Sequence, residues 1–111
     1  MSPLLFPWPV TVKYVSEAEL RQLFNTHRFY YRLRRGEIQS LLTAEHPASP
    51  AAGQPPRTIS QMLIYLEKGR PVAEVHQYVR PDGTLGASGM PDPKRVVWNG
   101  VLYRLANKRR P

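Results

Sequence analysis

The chain contains no cysteine. That excludes disulfide frameworks, thiolate metal ligands and thiol nucleophiles, and it fits a reducing compartment. Acidic side chains are scarce: eight Asp and Glu stand against sixteen Lys and Arg, and Asp82 and Asp92 are the only aspartates. The three histidines, His27, His46 and His76, lie at no ligand-like spacing from one another. A structural metal takes four ligands at recognisable spacing, so no metal site and no cofactor is expected. Long apolar runs are missing as well. Leu4-Leu5-Phe6 is interrupted by Pro3, Pro7 and Pro9, and no basic residue precedes it, which is unlike a secretory signal. No stretch approaches the ~20 apolar residues that cross a bilayer. The expectation is a cytoplasmic protein without a membrane partner.

What remains is a small, basic, aromatic-bearing chain. Its 111 residues suit one domain spanning 1–111, and the 41% hydrophobic and 10% aromatic content is enough for one modest core. The net charge is +8, and arginine accounts for twelve of the sixteen cations. An excess of this size attracts polyanions, of which nucleic acid, RNA or DNA, is the commonest. Arginine-rich and proline-rich composition also follows from a GC-rich genome, so charge by itself does not assign a function.

Turn chemistry sets the fold class. Arg35-Gly36, Lys68-Gly69, Pro81-Asp82-Gly83 and Asn99-Gly100 punctuate runs that alternate apolar and polar residues. This is the pattern of antiparallel strands joined by tight hairpins. Strands are expected at Val10–Val15, Ile59–Glu67, Pro71–Val79, Arg95–Trp98 and Val101–Leu105, with a short one at Thr84–Ala87. Glu67 is expected to face Arg70 across the Lys68-Gly69 turn. Ser16-Glu17-Ala18-Glu19 reads as a capping box opening a helix from Glu17 to about Asn25. The class is α+β: a mainly antiparallel sheet with one N-terminal helix.

The segment Arg28–Leu42 supports two readings, a second helix or a hairpin turning at Arg35-Gly36. The hairpin is favoured, because Phe29-Tyr30-Tyr31 suits a pleated surface and Gly36 is poor inside a helix. It would pair Leu33 with Ile38, Tyr31 with Ser40 and Phe29 with Leu42. Residues 46–57 hold four prolines without periodicity and read as an internal loop. Trp8, between two prolines, is expected to lid the core edge. Residues 107–111 form a basic tail.

The candidate sites follow from those elements. In the hairpin reading Arg28, Tyr30, Arg32 and Arg34 share one strand face, where arginine can grip phosphates and tyrosine can stack on a base. The helical reading also gives an arginine stripe, Arg21, Arg28, Arg32 and Arg35, suited to a phosphate backbone. Lys94, Arg95 and Arg104, with Lys108, Arg109 and Arg110 of the tail, make a second basic zone. His76 lies two residues from Glu74, so the two share a strand face and could exchange a proton. Arg80 and Arg95 are the cations such a pair would use. Asp92 lies in a Pro- and Gly-fixed stretch that reads as a loop. Gly83-Thr-Leu-Gly-Ala-Ser-Gly is glycine-rich but lacks the Gly-Lys-Ser/Thr of a phosphate loop.

No motif identifies a family. The order of strand, helical region and antiparallel strands in a small basic chain resembles the general layout of small bacterial ribonuclease toxins. The resemblance covers layout alone and places no catalytic residue. The first expectation is a nucleic-acid-binding domain acting through an Arg/Tyr surface, and so a binding module rather than an enzyme. The alternatives are a small ribonuclease using His76, Glu74 and Arg80 or Arg95, and a protein-interaction module, an accessory or inhibitor, docking through a sheet edge.

Overall fold

The computed structural model describes residues 11–106. The expectations for Trp8, for Val10 and for the basic tail lie outside them. The first strand, β1, runs from Thr11 to Val15. Ser16 then caps the helix α1 (Glu17–Thr26): its Oγ accepts from the Glu19 amide at 3.1 Å, and the Glu19 carboxylate accepts from the Ser16 amide at 2.9 Å. The expected capping box is present. Leu20 and Phe24 are the buried residues of α1.

Arg28 adopts left-handed backbone geometry (φ 57°), which re-aims the chain into a second helix, α2 (Phe29–Arg34). The favoured hairpin is not formed. Gly36, read as its turn, stops a helix instead. Its φ is +79°, its amide donates to the Leu33 carbonyl at 3.0 Å, and the Glu37 amide donates to the Arg32 carbonyl at 2.9 Å. These two bonds are the Schellman closure of a helix end, which a glycine in this conformation serves as well as it serves a hairpin. The apolar residues Phe29 and Leu33 lie four apart and turn toward the core, with Phe29 fully buried.

The remaining strands are β2 (Gln39–Pro47), β3 (Ile59–Glu67), β4 (Arg70–Val79), β5 (Asp92–Trp98) and β6 (Val101–Leu105). Strand β2 takes up residues 46 and 47 of the expected loop, and a short 3-10 turn follows at Pro50–Ala52. Instead of a strand at Thr84–Ala87 there is a single bridge between Val79 and Leu85. Asp92, expected in a loop, opens β5. Lys68-Gly69 and Asn99-Gly100 each show positive φ at both residues, as two-residue hairpin turns of the primed type require.

All six strands form one sheet in the order β1-β6-β5-β4-β3-β2. β1 lies parallel to β6, and every other neighbour is antiparallel. The two helices therefore carry the chain from one sheet edge to the other, and the five following strands return it. Leu20, Phe24 and Phe29 pack with Ile38, Tyr65, Ala73, Val75 and Val96 as the buried core. This helix-covered face is where the apolar residues of β3, β4 and β5 converge.

Candidate nucleic-acid interface

The α2 register places tyrosine and arginine three and four residues apart, so their side chains meet on one surface. The Arg28 guanidinium lies 5.6 Å from the Tyr31 ring centroid, and that of Arg35 lies 5.3 Å from the same ring. Arg34 lies 5.8 Å from the ring of Tyr30. Arg35 also donates to the Tyr31 hydroxyl at 2.9 Å. Tyr31 is 50% exposed, while Tyr30 packs partly against the core. Beside these residues runs a groove of about 530 Å³, lined by Phe24, Asn25, Arg28, Tyr30, Tyr31 and Met90.

The cations of this surface differ in how far they are neutralised. Arg32 is held by Glu67 and lies 3.8 Å from Glu37, and only 19% of its side chain is exposed. Arg35 pairs with Glu37 at 3.0 Å. Arg28 and Arg34 are exposed and meet no carboxylate among the described residues. Arg32 therefore anchors α2 to the end of β3, whereas Arg28 and Arg34 keep their charge available.

The second basic zone is not continuous with the first. Register places Tyr14, Arg104, Arg95, Glu74, Ile64 and Leu41 in one row across all six strands, on the face away from the helices. In that row Arg95 is bound to Glu74 at 3.1 Å. Arg104 lies 5.9 Å from the ring of Tyr14, which is 62% exposed. Glu74 is thus engaged with Arg95 rather than His76. Arg80 closes the 80–83 turn, its carbonyl accepting from the Gly83 amide at 2.8 Å. Its half-buried side chain leaves Nε without a partner among the described residues.

His76 has a different neighbour from the one sequence spacing offers. Its Nε2 lies 2.7 Å from Ser60 Oγ, and its ring meets that of Tyr78 edge-on at 4.6 Å. Burial pushes the His76 imidazole below its ordinary value. Lys94 pushes it further down, Asp92 opposes this, and His46 adds to the lowering. His76 lines a hollow of about 170 Å³, with Arg21, Tyr78, Ser88, Met90 and Asp92 among its other walls. Asp92 accepts from Arg21 at 2.8 Å and from Lys94 at 3.0 Å. Burial is the largest influence and raises its carboxyl, but the hydrogen bonds and the charges of Lys94 and Arg21 together hold it below the usual range. Met90 lines both the hollow and the α2 groove, so the two adjoin.

Sequence reading missed Tyr31 as a site residue and named Arg35, with Arg21, only in the arginine stripe of the helical reading; it also missed Ser60. The Tyr-Arg spacing at three and four was the available signal for Tyr31. No group of acidic, His or Cys side chains among the described residues could hold a metal, and no helix there is long and apolar enough to cross a membrane. No protein-family model, curated protein or solved structure matches the chain.

Proposed function

We propose that the protein binds single-stranded nucleic acid through α2 and the groove beside it. The observation that carries this reading is the set of three guanidinium–tyrosine contacts on one short helix, with Arg28 and Arg34 meeting no carboxylate among the described residues. A guanidinium resting on a tyrosine is held for a bidentate grip on phosphate, and the half-exposed Tyr31 ring offers a face to a base. A single strand can present phosphate and base to one such surface together, whereas a duplex keeps its bases stacked inside. The net charge of +8 supplies long-range attraction.

Fluorescence anisotropy with a labelled oligonucleotide across a salt series tests this. Affinity is expected to fall linearly in log–log form. Arg28→Ala and Arg34→Ala should each reduce the magnitude of the slope by about 0.7, the value for one lost phosphate contact on a single strand. Tyr31→Ala should weaken binding by about 1–3 kcal/mol with the slope unchanged, as loss of a stacked base does. Binding that ignores salt, or that survives the double arginine variant intact, contradicts the reading.

A further inference from the structure

The hollow next to the α2 groove is lined by a histidine, His76, of which binding alone makes no use. His76 is half-buried on β4, and its ring is fixed from two sides. Ser60, 7% exposed on β3, meets Nε2 at 2.7 Å, and Tyr78 stands edge-on to the ring. When Nε2 carries the proton and donates it to Ser60 Oγ, Nδ1 keeps its lone pair. No protein group among the described residues hydrogen-bonds Nδ1. Two cations bracket the region: Arg21 lines the hollow, and Lys94 is close enough to act on the ring. The single acid between them, Asp92, leaves the trio one charge positive. The groups facing His76 are Ser60 of β3, His46 of β2, Tyr78 of its own strand, and Asp92 and Lys94 of β5.

We infer that His76 acts as general base in the cleavage of an RNA strand that passes from the α2 groove over Met90 into this hollow. This rests on the binding reading above. His76 Nδ1 takes the proton of a ribose 2′-hydroxyl. The freed 2′-oxygen attacks the adjacent phosphorus, the bond from phosphorus to the 5′-oxygen breaks, and that oxygen leaves with a proton drawn from solvent. The products are a 2′,3′-cyclic phosphate and a 5′-hydroxyl, with no oxidant, reductant or second substrate required. Arg21 faces the charge that develops on the non-bridging oxygens. Ser60 is a positioning residue that holds the ring. The lowered proton affinity of His76 keeps it unprotonated, and so competent as a base, at neutral pH.

The full chain is incubated with a labelled single-stranded RNA and, in parallel, with an all-DNA strand carrying one ribonucleotide. Cleavage is expected only 3′ of a ribonucleotide, leaving cyclic phosphate ends. His76→Ala should reduce the rate by about 10²-fold or more while anisotropy-measured binding stays within about twofold. Ser60→Ala should lower kcat with KM unchanged, and it should shift the pH profile because the ring loses its anchor. His76→Gln, checked by circular dichroism, guards against a variant that has merely unfolded. RNA that binds with Arg28-dependent affinity yet stays intact overturns the cleavage inference and leaves the binding reading standing. Cutting by His76→Ala at the parent rate overturns it too. Absence of binding at low salt removes both.

Discussion

Tyr65 lies at the centre of the core with no exposed surface, and its hydroxyl has no hydrogen-bond partner among the described residues. Burial pushes that hydroxyl above the ordinary tyrosine range, and Tyr30 beside it adds to the shift. A buried polar atom without a partner costs roughly 1–3 kcal/mol. Tyr65→Phe removes the hydroxyl and keeps the ring, which is tilted against Phe24 at 5.9 Å. Its urea midpoint should match or exceed the parent's; a loss above about 1 kcal/mol would mean that the hydroxyl is satisfied after all. Residue-scale chemistry of the local kind was readable in the sequence. Ser16 and Glu19 are three apart and need only each other, and Asn99-Gly100 needs only its own φ values. Ser60 and His76 are sixteen apart, and their meeting depends on how two strands are registered.

That register turns on a bulge. Glu67 pairs with Arg70 as the turn chemistry implies, and Leu66 pairs with Pro71, but Tyr65 pairs with Ala73. Val72 is the extra residue, and the slip carries through the rest of β3 and β4. Without it Ser60 would oppose Gln77 and lie on the other face from His76, because a one-residue slip exchanges the two faces. A sequence pattern of period two does not reveal where such a slip falls. The error at Arg28–Leu42 has a related cause. Gly36 at positive φ serves both a hairpin and a helix stop, and the choice is made by Phe29 and Leu33 packing against a core that local sequence does not display. The cationic stripe was foreseen in either reading, but its companion Tyr31 and the groove that Met90 shares required the helix. Gly36→Ala tests this element directly. No atom lies within 4 Å of an added Cβ, so only the left-handed backbone is penalised, by about 1–2 kcal/mol. Urea unfolding should show that loss; no loss would mean the helix end does not need the glycine.

At the scale of the whole molecule, folding lowers the proton affinity of four groups. Ser16 hydrogen bonds lower Glu19, and Thr84 hydrogen bonds lower Asp82. Asp92 and His76 are lowered as described above. Each group binds protons less readily folded than unfolded, so stability should rise with pH wherever the unfolded chain still carries those protons. Stability contributed by His76 is present above its ordinary 6.5 and is lost as pH falls through its lower folded value. The carboxylates follow below about 4.5 for Glu19 and 3.8 for the two aspartates. Urea midpoints should therefore decline from pH 8 to pH 5 and fall further toward pH 3, and His76→Gln should flatten the upper part of that decline. A midpoint that climbs between pH 7 and pH 5 would contradict the assignment.

The same scale separates the two basic zones, one on α2 with its groove and the other on the helix-free face around Tyr14 and Arg104. The first meets the His76 hollow at Met90, whereas Tyr14 and Arg104 do not line it. Titration of the isotope-labelled protein with a short single-stranded oligonucleotide, followed by amide and arginine side-chain NMR shifts, distinguishes them residue by residue. The account predicts shifts concentrated at Asn25, Arg28, Tyr31, Arg34 and the segment around Met90 and Asp92, with Tyr14 and Arg104 still. Shifts confined to Tyr14, Arg104 and their neighbours, or none at low salt, would contradict it.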